Sequence, residues 1–259
     1  MREALWAELL KLRRSRLPWL TMLAFTIAAA VCGLFMFILT DPARARSLGL
    51  IGDKAQLSGA DADWSGYLAL LAQAVGVGGL LIYGMIAIWL FGREFSDHTA
   101  KDLLALPTSR TAVVAAKFTV AGIWAVLLAV WTVLLGLLIG ALLELPGALA
   151  QTLAAGVVRI LLVAVMAVTL TTPFALAASL GRGYLAAVAV MFAVVFCTQI
   201  IAALGYGAYF PWSVPGLYAD IAGPDQNPPG LLGYLLVAAV GIAGALTTAA
   251  WWQRADHNR

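Results

Sequence analysis

Charge is what this 259-residue sequence lacks. Asp, Glu, Lys and Arg make up 11% of it, against about 25% in a typical soluble domain, and mean hydropathy is +0.93. So few ionised groups cannot clothe a soluble surface, and 63% hydrophobic residues exclude a disordered chain. Histidine and cysteine occur only twice each. His98 and His257 form no H-E-x-x-H, no carboxylate pair lies inside an apolar run, and G-x-S-x-G is missing, so the common hydrolase signatures are absent. G-x-x-x-x-G-K-[ST] is missing too, which leaves the chain without a phosphate cradle of its own. Cys32 and Cys197 fall in separate apolar runs and are expected as small core residues, neither a disulfide nor a metal pair. An integral membrane protein remains.

The uncharged stretches are long: 17–40, 64–92, 118–143, 160–181, 183–219 and 226–253. Each can supply the ~20 apolar residues that cross ~30 Å of hydrocarbon at 1.5 Å per residue. Barrel strands run near 10 residues with alternating polarity, and these runs do not alternate. The expected fold is therefore all-α, with six transmembrane helices at about 18–40, 66–91, 114–142, 156–180, 184–206 and 231–252. Residues 1–17 precede this 18–252 domain and 253–259 form a tail.

Lys and Arg orient the spans. Twelve of the sixteen lie before span 1, between spans 2 and 3, between spans 4 and 5, or after span 6. The opposite side holds Arg44, Arg46 and Lys54 among Asp41, Asp53, Asp61 and Asp63. A multi-pass plasma (inner) membrane protein with both termini in the cytoplasm is expected. The pI of about 9.0 reflects this bias and calls for no nucleic-acid partner. Ala29-Ala30-Val31-Cys32 faintly resembles a lipoprotein cleavage site, but Val31 is bulky and the apolar run continues through Leu39, so span 1 is expected to stay uncleaved.

Residues 2–16 read as an amphipathic helix. At 100° per residue Leu5, Trp6, Leu9, Leu10 and Leu12 share one arc, and Glu3, Glu8, Lys11 and Arg14 the other. The apolar arc would meet the acyl boundary and the basic residues anionic lipid heads. The helix can be a surface anchor or an in-plane elbow that also touches a cytoplasmic partner. The loop 92–113 concentrates six charged residues and one of the two histidines. Ser96, Asp97 and Thr99 are candidate N-caps, Leu103, Leu104 and Leu106 an apolar face, and Pro107 a stop, which gives a short helix near 98–106. It is either a solvated turn or a docking knob for a soluble subunit.

Two stretches resemble a known family. One is Glu8-Leu9-Leu10-Lys11-Leu12-Arg13-Arg14-Ser15-Arg16. The other is Glu94-Phe95-Ser96-Asp97-His98-Thr99 followed by Leu103-Leu104-Ala105-Leu106-Pro107-Thr108-Ser109-Arg110. Together they are similar to the ABC-2 type permease subunits of ABC transporters, in particular the small six-span permeases of antibiotic and bacteriocin-type peptide export and immunity. His98 stands where that family more often has Gly. The motifs cover about 35 residues, while length and span count match throughout.

The resemblance implies an in-plane connecting helix over 2–16, with Trp6, Glu8, Lys11, Arg13 and Arg14 as its marked residues. It implies a coupling helix over 97–107, with Glu94, Phe95, Asp97, Thr99, Asp102, Leu103, Leu106, Pro107 and Arg110 meeting a separate ABC ATPase. Glu94 and Arg110 would be ionic contacts, Leu103 and Leu106 packing contacts. Short re-entrant helices are implied between spans 5 and 6, where 205–230 carries Pro211, Trp212, Pro215, Tyr218, Pro224, Pro228 and Pro229. Two ATPases and a second permease chain, identical or not, are expected. ATP and Mg would sit on the ATPase, with no cofactor or metal on this chain. The cargo would be an amphipathic antibiotic, peptide or lipid-like molecule.

Few polar residues lie within spans. Gln73, Tyr83, Phe192, Phe196 and Gln199 are the candidate cavity lining, with helix packing as the competing role. Arg159 falls near the outer interface, where its side chain can reach water. Pro173 after Thr171-Thr172 marks a kink in span 4, and Gly136-x-x-x-Gly140 a close helix contact in span 3. A secondary transporter would need ionisable relays that the spans lack. A non-transporting anchor or sensor for an ATPase is the remaining alternative.

Overall fold

A computed structural model describes residues 1–50, 61–99, 108–221 and 229–254. Among the described residues the regular structure is entirely helical. Helix α1 (Arg2–Arg14) turns at Ser15 into α2 (Leu17–Thr40), the first span. A short α3 (Pro42–Ser47) follows; Asp41 caps it by accepting from the Arg44 amide at 2.9 Å, and Pro42 fixes its first turn. Span 2 is α4 (Trp64–Ala74), a π-helical turn (Val75–Gly79) and α5 (Leu80–Ser96). Span 3 is α6 (Arg110–Leu142). Span 4 comprises α7 (Ala150–Thr169) and α8 (Thr172–Leu180), span 5 is α9 (Tyr184–Ala203) and span 6 is α11 (Leu231–Arg254). Between spans 5 and 6 lie two 3₁₀ turns, Gly207–Tyr209 and Pro211–Ser213, and α10 (Val214–Tyr218).

All six segments are long and apolar enough to cross a membrane. Their centres fall where the uncharged stretches do, but spans 2, 3 and 4 run several residues farther than expected. Arg93, Glu94 and Arg110 fall outside the expected bounds, yet all three lie within helices. Helix hydrogen bonding continues through a charge whose partner is at hand.

Span 2 is the central post. Its most apolar stretch is 61% buried, against 11% for span 5, and it packs on spans 1, 3, 4 and 5. Helices α1 and α2 lean on span 3, while α11 packs on α8. Gly136 and Gly140 let span 3 approach span 2, since a Cβ there would strike Leu71 and Trp64. Indole N–H groups of Trp124 and Trp131 donate to the Thr21 and Thr26 hydroxyls at 3.1 and 3.0 Å, tying span 3 to span 1.

The break in span 4 follows from Pro173. Proline removes one N–H and crowds the preceding turn, so the helix stops at Thr169 and restarts at Thr172. The freed carbonyls find other donors. Thr172 donates to Thr169 O and to Gly241 O of span 6, and the Trp212 indole donates to Leu170 O at 3.2 Å. Cys32 is buried as expected; Cys197 is free but exposed, because span 5 is the least covered helix.

Candidate functional site

Four charged residues meet at the end of the bundle that carries the N-terminus. Lys117, seven residues into α6, is fully buried among Val113, Val114, Phe118 and Val120. An isolated ammonium there would be prohibitive, and the fold surrounds it with acceptors. Its Nζ donates to Glu94 Oε1 at 2.8 Å, to Glu8 Oε2 at 3.2 Å and to Leu90 O at 2.8 Å, so all three protons are used. Lys11 Nζ donates to Glu8 Oε1 at 2.9 Å and Glu94 Oε1 at 2.7 Å. Two carboxylates and two ammoniums thus balance, with Glu8 and Glu94 nearly sequestered from solvent. Burial works against the Lys11 ammonium, but Glu8 and Glu94 outweigh it and hold its pKa above the ordinary lysine value.

This arrangement revises the expected polarity of α1. The Glu8–Lys11 stripe turns inward to complementary charge instead of outward to lipid heads, and Leu12 is buried beside it. Trp6 and Leu9 remain exposed, as the apolar arc predicts. The Arg13 and Arg14 side chains are exposed.

The expected docking residues divide into two groups. Glu94 is 3% exposed, and its carboxylate is engaged within the chain by Lys11 and Lys117, bracing the helices. Phe95 is half-buried against Trp251 and Trp252 of span 6, at ring separations of 5.9 and 5.8 Å. Arg110 donates through Nη1 to Trp252 O and Gln253 O, at 3.2 and 3.1 Å. A guanidinium at that helix C-terminus meets unsatisfied carbonyls and the negative dipole end. Trp252 is itself buried and donates to Ser179 Oγ at 2.9 Å. Asp97, His98 and Thr99 are exposed. Asp97 pairs with Arg93 at 2.9 Å, and Thr99 Oγ1 donates to Glu94 Oε2 at 2.8 Å. The surface loop is therefore bonded directly to the buried cluster. His98 takes φ +58°, the left-handed conformation in which glycine is favoured after a helix end; that is the position at which the sequence departs from the pattern it resembles. Asp102, Leu103, Leu106 and Pro107 lie outside the described residues.

At the opposite end the expected cavity residues disperse. Gln199 lines a small cleft of about 70 Å³ with Val77, Thr198, Trp212 and Leu217. Gln73 lies beside it and donates to Asp220 O at 3.2 Å. Tyr83 is 1% exposed and packs on Phe25 at 5.4 Å, inside the core. Phe192 and Phe196 stand on the outer face of span 5. Arg159 Nη1 pairs with Asp220 Oδ2 at 2.6 Å. Trp212 reaches Leu170, eleven residues along span 4 from Arg159, or about 16 Å. The segment between spans 5 and 6 thus runs deep along the bundle, with Ser213, Val214 and Pro215 buried.

Sequence reasoning overlooked Lys117, Asp220 and Trp252 as working residues. Lys117 carried a usable signal: a lone ammonium flanked by apolar residues on a helix requires buried carboxylates, and Glu8 and Glu94 are the acids of the two motifs.

The family model for ABC-2 family transporter proteins matches residues 4–198. The chain is also 25% identical, over 178 residues, to the bacitracin transport permease protein of Bacillus licheniformis; the match covers 69% of this chain and 85% of that one.

Proposed function

The chain belongs to the ABC-2 family of transporter proteins, as a multi-pass permease subunit, and from that premise we propose that it forms half of the membrane pathway of an ATP-driven exporter. Both termini and the loop 97–107 face the cytoplasm in this reading, in keeping with the Lys and Arg bias. A soluble ABC ATPase docks on the loop, two copies serving two permease chains. Helix α1 lies in the membrane plane and 205–230 forms a re-entrant outer plug.

One observation carries the coupling role. The exposed Thr99 is hydrogen-bonded to Glu94, and Glu94 shares Lys117 and Lys11 with Glu8. A displacement of the loop can therefore pass through these hydrogen-bonded side chains to α1, span 2 and span 3 together. Arg110 extends the same linkage to span 6. The small volume of the outer cleft supports a pathway built between chains, since ligand pockets usually enclose about 300–1,000 Å³. The exposed face of span 5, with Phe192 and Phe196, is the surface a second permease chain would cover. The relative's name makes a peptide antibiotic the leading substrate class, matching the uncharged, aromatic spans.

The test is co-purification with a co-expressed ABC ATPase, followed by ATP hydrolysis in nanodiscs. Leu103→Ala with Leu106→Ala, or Asp97→Lys, is expected to release the ATPase while leaving the permease's own thermal melting unchanged. Full retention and full substrate-stimulated hydrolysis in these variants would refute docking on this loop. An ATPase that binds but never responds to any amphipathic cargo would favour the anchor or sensor role.

A further inference from the structure

Helix α1, span 1 and span 3 do not close on one another along their outer side. A groove of about 430 Å³ runs between them, walled by Leu12, Met22, Val120, Trp124 and Leu127. Its lip is open to the hydrocarbon: Trp19 is 76% exposed and Ile123 44%. The wall is fixed, because the Trp124 indole is held by Thr21 at 3.1 Å. From Lys117, level with α1, to Leu127 is ten residues, or about 15 Å. That is half of a ~30 Å hydrocarbon core, the depth of one leaflet.

The mouth of the groove is charged. Arg13 lines it, and neither Arg13 nor its neighbours Arg14 and Arg16 form an ion pair with a described residue. Lys11, on the same helix, directs its charge inward. An apolar slot one leaflet deep, with an unpaired guanidinium at its water end, has the polarity of a single anionic phospholipid. We propose that this groove holds one such lipid from the leaflet on the side of the termini, with an acyl chain between Met22, Trp124 and Leu127 and its phosphate on Arg13. The site does not depend on how the chain is energised. It does touch the coupling machinery, because Leu12 lies between Lys11 and Arg13 on α1, so an occupied groove seats the helix that carries Glu8.

The test is native mass spectrometry of the purified full-length chain, titrated with phosphatidylglycerol and phosphatidylcholine of identical acyl chains. One phosphatidylglycerol per chain should be retained, saturably and about fivefold over phosphatidylcholine, as expected for one basic residue near an anionic headgroup. Arg13→Gln should bring the two lipids to parity. Ile123→Trp, which fills the slot, should abolish saturable retention of either; Leu127→Trp serves the same purpose if the first variant fails to melt cooperatively. Equal retention of the two lipids by the unaltered chain, or no effect of Arg13→Gln, would overturn the proposal. So would several non-saturating lipids per chain, or a phosphatidylglycerol preference that survives slot filling.

Discussion

The two ends of this bundle are held together by opposite means. Where the termini lie, four charges meet in mutual contact, three of them buried and Lys11 half-buried, Arg110 closes the last helix and Trp252 locks onto Ser179. At the other end, among the described residues, one ion pair, Arg159 with Asp220, sits 39% and 57% exposed, backed by Gln73 and the Trp212 indole. A buried multi-charge cluster tolerates no half measures, because removing one member strands the others without water. An exposed pair exchanges partners with solvent at little cost. One end is built to move as a unit, and the other is built to let go.

The contrast is open to direct attack. Lys117→Met leaves the Glu8 and Glu94 carboxylates with Lys11 alone and should lose about 3–5 kcal/mol, measured as thermal melting of the purified chain. Adding Glu8→Gln should recover part of that loss, since Glu94 then pairs one-to-one with Lys11. At the far end Trp212→Phe withdraws the donor to Leu170 O and should lose about 1–3 kcal/mol, making the indole and not the ion pair its main fastening. His98→Gly should stabilise the loop end of span 2 by roughly 1 kcal/mol, because glycine adopts the left-handed conformation without strain. Arg159→Ala should be smallest, about 1 kcal/mol or less, and its effect should vanish in 1 M salt while that of Lys117→Met persists. Equal losses for Lys117→Met and Arg159→Ala would erase the distinction between the ends.

Much of the fold was legible because bilayer thickness sets a length and charge marks where it stops. The Pro173 break and the Gly136/Gly140 contact were legible for a similar reason: each acts through its own backbone within a few residues. The site was legible only as two sequence motifs. Their internal orientation was not, since which way Glu94 and Arg110 point depends on Lys117 and on the end of span 6, 23 and 142 residues away respectively. Helical periodicity placed Glu8 and Lys11 on a polar arc but could not say whether that arc faced water or a buried countercharge. For Tyr83 the sequence left cavity lining and core packing open, and the packing of its ring against Phe25 depends on span 1, which local sequence does not show.

The π-helical turn at Val75–Gly79 gives span 2 a phase slip. One residue is accommodated there without an added turn, so everything beyond it is rotated by about 100° relative to an unbroken α-helix. Ahead of the slip, Trp64 and Leu71 are keyed to glycines of span 3; behind it, Leu90 and Glu94 are keyed to Lys117. The two halves are thus indexed separately on neighbouring helices, as two keyways cut at different angles on one shaft. Deleting Gly78 would remove the slip and turn Glu94 away from its lysines.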